Sequence, residues 1–172
     1  MWNDDAIAAG TGFDPHPHRE MEIVTYVRSG AITHRDSLGN EGRTEAGDVQ
    51  VMHAGTGIVH AEYNRETEDT TLFQIWIHPD TPRAEPGWDT RSFPRLGQGL
   101  EVLASGRPVD AGSGALKLNA DAALLAGTLE AGQSITVDLA VGRGAYLVPA
   151  TGALEVNGVA VNTRDGVAIT RE

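Results

Sequence analysis

An all-β fold is what this sequence predicts, and three observations predict it. Short runs of valine, isoleucine, threonine and tyrosine recur along the chain, turns drawn from 21 glycines and eight prolines separate them, and no stretch carries a helical apolar stripe. Glu22–Val27 and Ala31–Arg35 are expected as strands flanking the turn Arg28-Ser-Gly. After the turn signal Ser37-Leu-Gly-Asn, the apolar run Val49–Ala54 is expected as a strand, and Leu72–His78 as another, in which Gln74 and Trp76 share a face. The second half predicts Leu125–Leu129 and Ile135–Leu139 around Glu130-Ala-Gly, then Gly144–Pro149, Ala153–Asn157 and Gly166–Thr170, with Asn157-Gly as a turn.

At 172 residues with 40% hydrophobic content, the chain is long enough for one compact domain or two small ones sharing a core. A formal charge of -11 argues against direct contact with nucleic acid or anionic lipid, which both attract concentrated positive charge. With no cysteine, any metal site must use histidine and carboxylate. The first fifteen residues lack a basic start and an apolar core, and no apolar run approaches a membrane span of ~18 residues. The expectation is a cytoplasmic protein without membrane contact.

A weak internal echo, "YVRSGAITHRD … EAGDVQVM" against "LVPATGALEVNG … TRDGVAIT", suggests two copies of one β unit. Residues 79–100 hold four of the eight prolines and little periodicity, so they read as a linker between 1–78 and 101–172. All six histidines lie at or before His78, which places any histidine chemistry in the first half.

The segment "GFDPHPHREME" puts His16 and His18 two residues apart, each preceded by a proline. In a strand such residues face the same way about 6.6 Å apart, so both can reach one ion. Pro15 and Pro17 stiffen the segment, remove ladder hydrogen bonds and confine it to a sheet edge. A second alternating pair, His60 and Glu62, follows the glycine-rich turn of "AGTGIVHAEYN". Three neutral imidazoles and one carboxylate suit one divalent first-row ion, Fe, Mn, Co, Ni, Cu or Zn, with positions left open for water or substrate.

These residues match the two-part cupin signature. Gly10, His16, His18 and Glu22 fill its first part, and Gly57, His60 and Asn64 its second, although Gly55 stands where cupins commonly have proline and the spacing from Gly47 is two longer. The finer wording, "HPHREMEIVTYVRSGAITHRDSLGN", "GDVQVMHAGTGIVHAEYN" and "LFQIWI", resembles pirin, in particular bacterial pirin-like proteins with quercetinase activity. The resemblance is strong through Trp76 and looser but continuous beyond. It implies a bicupin of two jelly-roll β-barrels facing each other, with metal in the N-terminal barrel, residues 1–78, and none in the C-terminal cupin-like domain, residues 101–172. Pirin-like chains usually extend further at both ends, so outer strands of both barrels are expected to be missing, either because this sequence is a shortened form or because the protein has open barrel edges.

Carried over from the family, the metal ligands are His16, His18, His60 and Glu62, with Fe(II) the expected ion. Glu22 occupies the place where many other cupins put a ligand glutamate. Here it is expected as a supporting or rim residue, or as a solvated strand residue. His34 is expected as a hydrogen-bonded non-ligand and His78 as exposed, while His53 replaces the family's usual threonine or serine and would alter substrate orientation if it lines the pocket. Trp76 is expected in the core, with pocket lining by Gln74 or Trp76 as the alternative. The activity implied is oxygen-dependent cleavage of a flavonol such as quercetin, with Glu62 as ligand and proton acceptor. The alternatives are a metal-binding regulatory protein acting through a protein partner, and a metal-free or sugar-binding cupin.

Overall fold

The computed structural model of the chain describes residues 1–93 and 99–170. Among the described residues, sixteen strands and a single 3-10 turn at Pro108–Asp110 make up the regular structure. The strands are β1 (Trp2–Ile7), β2 (Gly12–His18), β3 (Glu22–Ser29), β4 (Ala31–Asp36), β5 (Glu41–Glu45), β6 (Val49–His53), β7 (Ile58–Tyr63) and β8 (Thr70–Ile77). They continue with β9 (Gly87–Arg91), β10 (Gly99–Ser105), β11 (Leu116–Lys117), β12 (Ala123–Thr128), β13 (Gly144–Leu147), β14 (Leu154–Val156), β15 (Val159–Val161) and β16 (Val167–Thr170). The predicted all-β architecture is what the chain adopts. No helix among the described residues is long and apolar enough to cross a membrane.

The chain divides into two compact units, Met1–Leu129 and Glu130–Glu172. In the first, a five-stranded sheet of order β1-β8-β3-β6-β9 and a four-stranded sheet of order β2-β7-β4-β5 carry the chemistry-bearing residues. A three-stranded sheet, β11-β10-β12, belongs to the same unit. Residues 79–100, expected as a linker, include β9, which pairs with β6 at the edge of the large sheet; 94–98 lie outside the described residues. The second unit holds two antiparallel ribbons, β13 with β16 and β14 with β15.

Alternation divides the large sheet into two faces. Val24, Val49, Val51 and Ile75 point one way and form a buried cluster with Leu103, Ala104, Leu116 and Leu118. The opposite face presents Ile23 and Met52, clustered with Ala54 and Ile58 and flanked by Met21, Trp76 and Trp88. A third cluster joins Ile7, Val27, Ile32 and Leu72. Because β3 is central and covered on both sides, its first four residues are all buried, including the polar Glu22 and Thr25.

Two glycines permit close approach. A Cβ on Gly12 of β2 would lie 2.2 Å from the Glu62 carbonyl oxygen, so this residue lets β2 run tight against β7. On β5, a Cβ at Gly42 would lie 2.3 Å from the Trp88 ring, which occupies that space.

The expected strand at Ile135–Leu139 is corrected. Those residues form no strand, and Ile135 and Val137 are exposed. Valine and isoleucine at period two satisfy the sequence pattern, but a strand also needs a paired neighbour and a face to bury.

Leu72 is 1% exposed at the meeting point of β1, β3, β4 and β8 side chains. Leu72→Ala is expected to lower unfolding free energy by about 2–5 kcal/mol in urea titrations. A change below about 1 kcal/mol would show that this cluster does not hold the two sheets together.

Candidate metal centre

The site is built on β7, whose burial alternates along the strand. Ile58, His60 and Glu62 point inward and are buried, while Val59 is exposed and Ala61 and Tyr63 are partly so. An inward row should be apolar, and two polar residues on it require partners. His60 is 3% exposed and Glu62 2%.

Their neighbours come from both flanking strands. Asp36, His60 and His16 stand opposite one another across β4, β7 and β2, and His34, Glu62 and Phe13 form the adjacent row. β2 is an edge strand, as its prolines require. Its register slips by one residue between Phe13 and His16. Without that bulge Pro15, not His16, would stand opposite His60. With it, His16 and His18 share the inward face of β7. The Tyr63 hydroxyl donates to the Asp14 carboxylate and ties the bulge to β7.

Three imidazoles therefore converge. The ring centroids of His16 and His60 are 4.4 Å apart, those of His16 and His18 4.9 Å, and those of His18 and His60 5.0 Å. One ligand nitrogen from each lies within 4.8 Å of the others, a group able to hold a metal ion. The His16 Nδ1 contacts the Asp14 carbonyl oxygen at 2.7 Å. A carbonyl only accepts, so Nδ1 carries the proton and the Nε2 lone pair is free for a cation.

Burial, reinforced by His16, His34 and His18 and opposed by Asp36, pushes the His60 pKa down to about 3. Burial, with His16, also lowers that of His18. Both rings stay neutral near pH 7, as ligation requires. Neither ring nitrogen of His60 has a hydrogen-bond partner, although both are buried. Orphaned buried nitrogens among convergent imidazoles are what a divalent first-row cation satisfies, so the residues fit such an ion.

Glu62 lies outside the span of that trio but groups within 4.8 Å with His60 and His34. Its Oε1 accepts from Gln50 Nε2 at 2.5 Å and its Oε2 from Gln74 Nε2 at 2.9 Å. Burial raises its pKa, and the two amide donors only partly oppose that. His34 is fully buried; its Nε2 donates to Asp36 at 3.1 Å, and its Nδ1 is buried without a partner. Its ring stacks on Trp88, 4.8 Å between centroids and 7° between planes.

Glu22 is neither solvated nor in the histidine cluster. The chain turns at residues 19–21 between β2 and β3, which lie in different sheets, so strand parity from His18 does not carry through to Glu22. Glu22 is 1% exposed, and its carboxylate accepts from His53 Nδ1 at 2.6 Å and from the Asn119 backbone at 2.9 Å. The unusual His53 is thus engaged with Glu22. Asn64 of the second motif part is a structural clamp, donating to the carbonyls of Ile7 and Glu68 and accepting from the Glu66 backbone. His78 is exposed.

Sequence reasoning missed Gln50, Trp88 and the Asp14 carbonyl. A lone glutamine inside the apolar strand "VQVMH" was a usable signal, whereas nothing in "EPGWDTR" announced that Trp88 would pack on a histidine.

An all-β scaffold with three imidazoles and a buried glutamate on adjoining strands defines a metal-binding cupin with a site for a single divalent ion. Two family models match the chain, pirin over residues 1–77 and the quercetinase C-terminal cupin domain over 102–172. The chain belongs to the pirin family. A Pseudomonas aeruginosa protein provisionally named as a quercetin 2,3-dioxygenase is 61% identical over 100% of this chain and 74% of its own length. Quercetin 2,3-dioxygenase of Escherichia coli K12 is 41% identical over 99% of this chain and 72% of its own. The crystal structure of the E. coli pirin YhhW in complex with nickel(II) superposes with a TM-score of 0.92 at 40% identity, covering 99% of this chain and 72% of that one.

Burial works against the Glu22 charge, but the bonds from His53 and Asn119 outweigh it and hold its carboxyl below the usual range. A lowered folded pKa contributes stability that is present above the unfolded value and lost as pH falls through the folded one. The melting-temperature gap between the native chain and Glu22→Gln should therefore be wider at about pH 6 than at about pH 3. A gap independent of pH would contradict this.

Proposed function

We propose that this protein is a metal-dependent dioxygenase that cleaves a flavonol such as quercetin with O2. The observation that carries the reading is the convergence of His16, His18 and His60 beside a buried Glu62 in a chain 41% identical to a quercetin 2,3-dioxygenase. In this reading the four residues are the ligands, and residues 1–78 supply the chemistry while 101–172 form a second cupin domain without ligands. Fe(II) is the ion we assign. Nickel or copper would outcompete it in a test tube because the same donors bind them more tightly.

Bound there, a divalent ion would supply a Lewis-acid contact for the flavonol's enolic oxygens and a place near which O2 reacts. The protein's own groups do the rest. His16 is aimed by its bond to Asp14, and His60 is kept neutral by burial and by its histidine neighbours. Glu62 accepts the flavonol hydroxyl proton.

Purified protein with its metal content measured in the same sample should consume quercetin and release carbon monoxide in proportion to bound metal. His60→Ala should abolish both loading and turnover. Full metal occupancy with no flavonol turnover would contradict the dioxygenase reading.

Glu62→Asp keeps the charge but shortens the reach, and should reduce kcat by about 100-fold or more if the carboxylate takes the proton. An unchanged kcat would remove Glu62 from the proton-transfer role.

A further inference from the structure

The two amides that grip Glu62 are themselves gripped. The Trp76 indole Nε1–H donates to Gln74 Oε1 at 3.0 Å. On the other side, Gln50 Oε1 accepts from Trp88 Nε1 at 3.3 Å and from Thr44 Oγ1 at 3.0 Å. An indole nitrogen only donates, so each glutamine must present its oxygen to its tryptophan and its NH2 to the carboxylate. The geometry is set by strand register. Gln50, Thr25 and Gln74 stand opposite one another across β6, β3 and β8, so the two glutamine backbones flank Thr25 two strand spacings apart, about 9.6 Å, and both side chains converge on one carboxylate. Glu62 reaches down from the other sheet and places one oxygen on each.

We infer that Gln50 and Gln74, locked by Trp88 and Trp76, are positioning residues that hold Glu62 as an acceptor-only carboxylate and turn its remaining lone pairs toward the cation. This deepens the metal-ligand reading proposed above and rests on it. Both amides donate and neither accepts from Glu62, so their contacts are stronger with the ionised carboxylate than with the neutral acid. Each tryptophan also touches a histidine: Trp88 stacks on His34, and Trp76 meets His18 edge-on, 4.9 Å between centroids. The same two indoles therefore align the carboxylate and brace the imidazoles.

The test is a double-mutant cycle on the whole chain, with Ni(II) affinity measured by competition against a chromophoric chelator and the Co(II) ligand-field spectrum recorded for each variant. Gln74→Met keeps the volume and removes the donor; Trp76→Phe keeps the ring against His18 and removes the indole N–H. Gln74→Met should weaken Ni(II) binding about 10- to 100-fold and shift the Co(II) bands. Trp76→Phe should reproduce part of that loss, and the double variant should be no weaker than Gln74→Met alone, because both act through one amide. Gln50→Met with Trp88→Phe forms an independent cycle on the other oxygen and carries the inference if the first pair does not fold.

Glu62→Gln is measured beside them. If it binds Ni(II) weakly while Gln74→Met and Gln50→Met bind as the native chain does, the inference fails and the ligand reading stands. If Glu62→Gln itself binds Ni(II) unchanged, the ligand reading fails and takes the inference with it. Additive losses in both cycles, with the Co(II) bands unmoved, would reduce the glutamines to packing residues and also overturn the inference.

Discussion

The buried carboxylate of Glu62 constrains everything around it. A charge 2% exposed between two sheets is sustained only by donors and cations, and the chain supplies amide donors on one side and a histidine cluster on the other. With amides alone the balance is incomplete, since burial still raises the Glu62 pKa. A cation beside it reverses that, because an opposite charge favours the ionised form.

From this requirement the local architecture follows. The large sheet offers its inner face as a floor of Gln50, Thr25 and Gln74, and the smaller sheet lowers Glu62 and His60 onto it from β7. β2 must then lie close enough to add two histidines. Gly12 allows the approach, the bulge sets the facing, and the prolines keep the edge from continuing as a ladder. On the other face of the large sheet, Glu22 accepts from His53 and Asn119, joining β3 to the segment that precedes β12. The two glutamates thus divide the work: Glu62 sits beside His60 and His34, and Glu22 ties the sheet to its neighbour.

Much of this was legible in the sequence, and the parts that were not share a cause. Strands with an apolar run and a marked turn, such as Glu22–Val27 and Ala31–Arg35, announce themselves because local chemistry and burial agree. The alternating pairs His16/His18 and His60/Glu62 were equally visible, since period two is the signature of one strand face. Ile135–Leu139 misled because β-propensity is local while pairing is not. Glu22 was not legible because the chain turns between β2 and β3, which lie in different sheets, and its partners His53 and Asn119 are far from it in sequence. Trp88 was hidden because its role is fixed by β9 pairing with β6 and by the space left at Gly42, neither of which leaves a trace in its neighbours. Long-range register, not composition, was the missing information.

The central proposal is that one cation is held by His16, His18, His60 and Glu62 together. X-ray diffraction from crystals of the Ni(II)-loaded protein, collected at the metal's absorption edge, tests it directly. The account predicts one anomalous peak bounded by three imidazole nitrogens and a Glu62 oxygen, with Gln50 and Gln74 still donating to that carboxylate. A peak enclosed by His34 and lacking His16 and His18, or a peak with no contact to Glu62, would contradict it.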